Sequence, residues 1–274
     1  MASICTAPVY KMEALNNLFI ELTAKNCNQR CNCCFIKFPM SKMVKDFIPE
    51  EKIREALEDT KNENLYCIYL TGAEPMTHPD FNSILRTCLK RCNVSICTNG
   101  SFLNEKKIRF LSKVEGEGNN QIFFQLSLTH FNEQENDRAK YRGNFRQTIF
   151  ALKTLSRYNF NSVLTVQNFY SLDKTEIENN FNRIFNEQQI SNTDIKVINS
   201  YNGEEMNDIS VAGNTDCMHG RCLSNDGIYA CPFLAGDFRG RVGSSFKNFS
   251  DSFRAETNFC SVCGKNSGKM FSIG

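Results

Sequence analysis

Short apolar runs alternate with longer amphipathic ones over most of the chain. NLFIELT (17–23) reads as a buried strand, and PEEKIREALEDT (49–60) has helical periodicity with acids in its first turn. LYCIYLTG (65–72) reads as a strand, HPDFNSILRTCLKRC (78–92) as a helix, VSICTNG (94–100) as a strand and NEKKIRFLSKV (104–114) as a helix. QIFFQLSLTH (121–130) is a strand rich in β-branched and aromatic residues, and RGNFRQTIFALKTLSRY (142–158) is a helix. SVLTVQNFY, KTEIENNFNRIFNEQQI and DIKVINSY continue as strand, helix and strand. This is a βα repeat of about six units. It predicts an α/β fold with a parallel sheet and helices packed outside it. Six units are too few for an eight-fold barrel, so the expected architecture is a partial (β/α)6 barrel; a doubly wound sheet fits the same pattern. In either, ligands gather at the C-terminal ends of the strands.

From about Ile209 the helical periodicity fades, glycines become frequent and cysteines return. The expected division is an N-terminal extension over 1–16, a βα domain over 17–208 and a small cysteine-rich domain over 209–274. LSNDGIYACP within the last of these carries Asp-Gly between short apolar stretches, a hairpin signal.

Composition changes this picture in one respect. The chain has 274 residues, 41% hydrophobic and 23% charged, with a net charge of +2, which gives no argument for nucleic acid or membrane as a partner. MASICTAPVYKMEAL is no secretory signal, and no apolar run has transmembrane length. The anomaly is fourteen cysteines in a chain expected to be cytoplasmic, where thiols stay reduced and clustered cysteines point to metal rather than disulfides. Cys67, Cys88, Cys92 and Cys97 lie in strand or helix patterns and read as small core hydrophobes, and Cys5 is isolated.

The remaining cysteines form two groups. CNQRCNCC (27–34) follows the first strand and spaces Cys27, Cys31 and Cys34 as C-x3-C-x2-C. Three soft thiolates on one loop suit an iron–sulfur cluster with one open iron. Zinc is the rival, with Cys33 or a distant residue as fourth ligand. The second group is Cys217, Cys222, Cys231, Cys260 and Cys263, the last pair in the C-x2-C spacing of a metal site, for which zinc is again an alternative.

The cysteine triplet resembles that of the radical S-adenosylmethionine (SAM) enzymes, and other motifs lie where that family has them. Gly72-Ala73-Glu74-Pro75 after the second strand resembles the family's Gly-Gly-Glu-Pro loop, which meets the amino group of SAM. Thr98-Asn99-Gly100 resembles the usual end of the third strand, and Ser127 and Asn168 fall at strand ends that contact the ribose or carboxylate of SAM. The resemblance covers roughly residues 17–200. It departs where an aromatic residue usually precedes the third cysteine: here that residue is Cys33, with Phe35 following, and Ala73 replaces the second glycine. CMHGRCLSNDGIYACPF and FCSVCG resemble the shortened Twitch form of the family's SPASM auxiliary domain, which holds one extra cluster.

The resemblance implies two [4Fe-4S] clusters, SAM, and a flavodoxin- or ferredoxin-type electron donor. The SAM-binding cluster's reduction would split SAM into methionine and a 5′-deoxyadenosyl radical that takes hydrogen from a substrate. Cys231, Cys260 and Cys263 would ligate the auxiliary cluster, with Cys217 or Cys222 as fourth ligand. The short auxiliary domain, and a barrel that starts near the N-terminus, lead to an expected small polar substrate. The expected chemistry is oxidoreductase or epimerase: dehydrogenation or epimerisation of a sugar, aminocyclitol or nucleotide-sugar, with Cys33 or a free C-terminal thiol able to return a hydrogen atom. The alternatives are maturation of a ribosomally made peptide, for which the loop HFNEQENDRAKYR (130–142) offers a surface, and a non-catalytic zinc or iron–sulfur module.

Overall fold

A computed structural model of the chain describes residues 7–34, 47–199, 216–257, 259, 260 and 263. Phe35, Cys5 and the expected domain boundary at 208/209 lie outside the described residues.

Six parallel strands form the frame: β2 (Asn17–Thr23), β3 (Cys67–Gly72), β4 (Asn93–Cys97), β5 (Ile122–Leu128), β6 (Asn161–Asn168) and β7 (Thr193–Asn199). They neighbour one another in chain order, each in parallel register with the next. A doubly wound sheet reverses direction at a switch point; this one never reverses, so the fold is a partial (β/α) barrel. The returning helices are α1 (Glu50–Asp59), α2 (Phe81–Leu89), α3 (Glu105–Glu115), α5 (Asn144–Arg157) and α6 (Lys174–Gln188), with a short α4 (Glu133–Ala139) inserted after β5. Asn104, Asn132 and Asp173 start α3, α4 and α6 by accepting first-turn N–H groups on their side chains.

The strand period of two sorts the side chains into two layers. Leu18, Ile20 and Leu22 of β2 join Ile68, Leu70, Val94, Ile96, Phe124, Leu126, Leu164 and Val166 in the apolar layer beneath the helices, each at most 1% exposed. At about 1.5–3 kcal/mol for each such side chain, this layer is the dominant stabilising term. The opposite, inner face carries an apolar patch of Phe19, Cys67 and Tyr69, and towards the C-terminal strand ends Glu21, Gln125, Ser127, Thr165 and Gln167, so the mouth of the barrel is its polar part.

Beyond the six strands, the sheet continues on its β2 side. β8 (Gly220–Ser224) pairs in parallel with β2, and β9 (Gly227–Tyr229), β10 (Arg241–Ser245) and β11 (Asn248–Phe249) follow antiparallel. The Asp-Gly hairpin of the sequence is β8–β9, and it extends the barrel's own sheet. Two strands too short to show a period complete the fold: β1 (Val9–Lys11) pairs antiparallel with β12 (Ser252–Arg254), fastening the N-terminal segment over the cysteine-rich region. Among the described residues no helix is long and apolar enough to cross a membrane.

Candidate active site

The loop that leaves β2 is tied down before it reaches its first cysteine. The Thr23 hydroxyl accepts the Asn26 N–H at 2.9 Å, and the Thr23 carbonyl accepts the Ala73 N–H at 2.8 Å. The Asn26 carbonyl accepts the Glu74 N–H at 3.0 Å, so the cysteine loop and the Gly72–Pro75 loop move as one unit. Gly72 is required there: its φ is +116°, and a Cβ would lie 2.3 Å from the Thr23 carbonyl oxygen.

Glu74 organises the centre. It is fully buried, and its carboxylate accepts from the Met76 N–H at 3.1 Å, the Thr98 hydroxyl at 2.8 Å and the Asn99 N–H at 2.9 Å. Burial pushes its pKa up to about 7, against the pull of those three hydrogen bonds and the Lys140 charge. The carboxylate is thus turned into the protein. What the Gly72–Pro75 loop offers outward is backbone, and Ala73 in place of glycine leaves that backbone path intact. Asn99 completes the link, its Nδ2 lying 3.7 Å from the Cys27 sulfur and 3.0 Å from the Asn28 side-chain oxygen.

Cys27, Cys31, Cys33 and Cys34 are all partly buried. Cys31 bonds the side chain of buried Gln29, itself held by Asn144 and Gln147 of α5. The Cys31 thiol is pushed up to about 12 by burial foremost, with the Lys140 charge opposing and the neighbouring Cys33, Cys34 and Cys27 adding to the rise. The Cys33 N–H donates to the Ala139 carbonyl at 3.0 Å, which draws that residue towards the end of α4. Among the described residues no three Cys, His, Asp or Glu side chains already converge on a single ion position. The donor set fits an iron–sulfur cluster in its chemistry: three soft thiols on one braced loop at the C-terminal mouth of the barrel.

Lys140 is the residue that periodicity misses. It lies in a polar run that reads as a solvated loop, yet it is 6% exposed. Its ammonium donates to the Ser127 carbonyl at 2.5 Å and the Ser127 hydroxyl at 2.6 Å, and its charge is felt at Cys31, Cys33 and Glu74. Asn136 of the same run is fully buried. Asn168 is turned back into its own loop, bonding the Leu172 carbonyl and N–H at 2.7 and 2.9 Å.

The C-terminal thiols separate cleanly. Cys217, Cys231 and Cys260 share a small cluster with Tyr10, Leu234, Phe253 and Phe259, and Cys231 feels the charges of Cys217, Cys260 and Cys263. Cys222 does not belong to this group, contrary to one sequence expectation. It sits opposite Phe19 in the β2–β8 ladder and packs with Cys67, Tyr69 and Tyr229 on the inner face of the barrel, fully buried, its pKa raised by burial with Glu21 and Asp226 as its charged neighbours. Beside it the mouth carries a polar group: Ser224 donates to Glu21 at 2.7 Å or Asp226 at 3.2 Å, and Tyr229 donates to Asp226 at 2.8 Å.

Comparison with known proteins places this geometry in context. No curated protein matches the chain. Among solved structures, SuiB of Streptococcus suis bound to S-adenosylmethionine aligns with a TM-score of 0.65 at 14% identity, over 86% of this chain and 64% of its own. SuiB bound to its precursor peptide SuiA aligns at 0.64 and 15% identity over 96% of this chain and 68% of its own. The AdoMet-bound anSMEcpe aligns at 0.61 and 14% identity, over 92% and 81%. The chain therefore spans about two thirds of the length of SuiB, and at these identities the likeness is one of fold. The model of the radical SAM superfamily matches residues 22–186, more than half of the chain and the whole of the braced cysteine and Gly72–Pro75 loops. On that match the chain belongs to the radical SAM superfamily, whose cofactors are a [4Fe-4S] cluster and S-adenosylmethionine.

Proposed function

We propose that the chain binds its SAM-cleaving cluster through Cys27, Cys31 and Cys34 and uses the radical so made to take a hydrogen atom from a small polar substrate in the barrel mouth. The observation that carries this is the Glu74 network, which joins the cysteine loop, the Gly72–Pro75 loop and Thr98-Asn99 into one rigid floor. When bound, the reduced cluster supplies the electron that breaks a carbon–sulfur bond of SAM. The protein's part is to orient and to exclude water. Backbone around Gly72 and Ala73 would hold the SAM amino group, and Ser127 and Lys140 would hold its carboxylate. Lys140 uses two of its three N–H donors on Ser127, leaving one for an incoming acceptor. A Lys140→Met variant is expected to load iron like wild type and to bind SAM at least about tenfold more weakly, the loss of one charge-assisted hydrogen bond. Isothermal titration with SAM measures both the loss and its absence.

A second cluster, held by Cys217, Cys231, Cys260 and Cys263, is supported by the packing of the first three around Tyr10 and Leu234 and by the nearness of Cys217, Cys260 and Cys263 to Cys231. Cys231→Ala is then expected to remove about half of the iron bound per chain, and Cys222→Ala none, as read by iron and sulfide analysis after anaerobic reconstitution. Equal losses in both would undo the ligand assignment.

The polar rim of the inner face, made by Glu21, Ser224, Asp226 and Tyr229, favours a substrate bearing hydroxyl or amino groups, as in dehydrogenation or epimerisation of a sugar or aminocyclitol. A second reading, modification of a peptide, draws on the aromatic ledge of His130, Phe131, Phe169 and Tyr170 beyond β5 and β6, where Phe169 is 40% exposed. The deciding experiment supplies dithionite and SAM to the reconstituted protein and measures 5′-deoxyadenosine. Stimulation by amino sugars or aminocyclitols, with deuterium carried from substrate into the product, supports the first reading. Stimulation by peptides alone supports the second, and no 5′-deoxyadenosine under any condition overturns both.

A further inference from the structure

Arg221 heads the largest side chains fully shielded from solvent in the described residues, and nothing in the SAM-cleaving site uses it. It stands on β8, four residues beyond Cys217. Its Nη1 donates to the carbonyls of Cys217 at 2.6 Å and Gly220 at 2.7 Å, and its Nη2 to the carbonyl of Asp251 at 2.5 Å. Its Nε–H is buried with no partner. No carboxylate pairs with the guanidinium among the described residues. The Asp251 carboxylate is engaged elsewhere, 3.3 Å from Lys11 Nζ and accepting the Ser252 hydroxyl at 2.9 Å.

A guanidinium buried without a counter-charge is strongly destabilising, and three backbone carbonyls offset only part of that cost. The groups whose negative charge, when they are ionised, reaches it are Cys217 first, then Asp251 and Cys231. Two of the three are thiols of the C-terminal group. As thiols they carry no charge; as ligands of an iron–sulfur cluster they belong to a net anion whose charge grows by one when it is reduced. The protein has therefore placed a fixed, non-titrating cation, its Nε–H unspent, against the side of a metal site that becomes more negative in use.

We propose that Arg221 sets the reduction potential of the C-terminal cluster, its buried charge stabilising the reduced form and so making the site a better acceptor for the electron that a substrate radical gives up on oxidation. The cluster would take up one electron and no proton, because the compensating charge is already present, and the proton released as the substrate radical becomes a carbonyl or imine would pass to solvent. Hydrogen bonding and burial are the protein's established means of tuning such clusters. This inference rests on the auxiliary-cluster reading above.

The test uses the full chain carrying Cys27→Ala, Cys31→Ala and Cys34→Ala, so that only the C-terminal site can load, with the midpoint potential read by EPR-monitored titration. About four irons per chain are expected. Adding Arg221→Gln, which removes the charge, should lower the stability of the reduced form at least tenfold, a downward shift of about 59 mV or more for one electron. Arg221→Lys, which keeps a charge, should shift it less than tenfold. An Arg221→Gln midpoint unchanged at full iron content overturns the proposal. So does a tenfold shift in Arg221→Lys at full iron content, and that variant decides the matter where the glutamine variant does not load. A parent chain that loads no iron overturns the auxiliary-cluster reading itself, a result separate from any shift in potential.

Discussion

Replacing Cys31 by alanine is expected to abolish 5′-deoxyadenosine formation while leaving about half of the chain's iron in place. The reason lies in the number of donors. A three-thiol site keeps one iron open for SAM, so it has no ligand in reserve. Cys33 is the nearest spare thiol, yet its N–H is fixed to the Ala139 carbonyl, its position on the loop differs by two residues, and burial raises its pKa, with the Lys140 charge opposing. The expected fall in the rate of SAM cleavage is at least about a thousandfold, roughly 4 kcal/mol of barrier. Iron should drop from about eight to about four per chain, since the C-terminal thiols are untouched. Cys33→Ala, by contrast, should keep both its iron and its turnover. Full cleavage activity in Cys31→Ala would defeat the ligand assignment, and loss of activity in Cys33→Ala would return that thiol to the chemistry as ligand or hydrogen donor.

The parallel barrel was legible in the sequence because its signals are local. Each strand from β2 to β7 carries an apolar layer at every second position, and the helices between them carry their own period, with α3, α4 and α6 also carrying their own caps. The cysteine spacing, Gly72–Pro75 and Thr98–Gly100 were legible for the same reason, each being a contiguous stretch. What stayed hidden depends on tertiary burial. Lys140 and Asn136 sit in a run of polar residues that reads as solvent-facing, and only the packing of α4 beneath the end of β5 encloses them. Arg221 is hidden likewise, because β8 joins the edge of β2 and the chain around Asp251 covers it. The same pairing separates Cys222 from Cys217: alternation along β8 turns Cys222 towards Phe19 and the barrel interior, but no pattern within the sequence announces that β8 lies beside β2. β1 and β12, three residues each, are too short to show any period.

Glu74→Ala should be the most damaging change outside the thiols. It strands three donors in a fully buried position: the Met76 and Asn99 N–H groups and the Thr98 hydroxyl. Each unsatisfied buried donor costs about 1–3 kcal/mol, so the sum for three, on the order of 3–9 kcal/mol, is comparable with the whole stability of many domains. The Asn99 contact to Cys27 is lost with it, and iron loading of the first site should fall even where the chain still folds. Glu74→Gln separates geometry from charge. Its carbonyl can serve Met76 and Thr98, but its amide nitrogen then faces the Asn99 N–H, donor against donor, so it should be intermediate. The pH dependence gives a further check. Burial raises the Glu74 pKa to about 7, so the folded chain holds this proton more tightly than the unfolded chain does. The stability contributed by Glu74 is therefore fully present below the ordinary carboxyl range and falls as pH rises through about 7, whereas glutamine has no such slope. The margin in anaerobic melting temperature by which wild type exceeds Glu74→Gln should narrow between about pH 5 and pH 8. A margin that widens with pH would mean that the carboxylate is stabilised in its charged form, and that hydrogen bonding, not burial, governs the floor of the site.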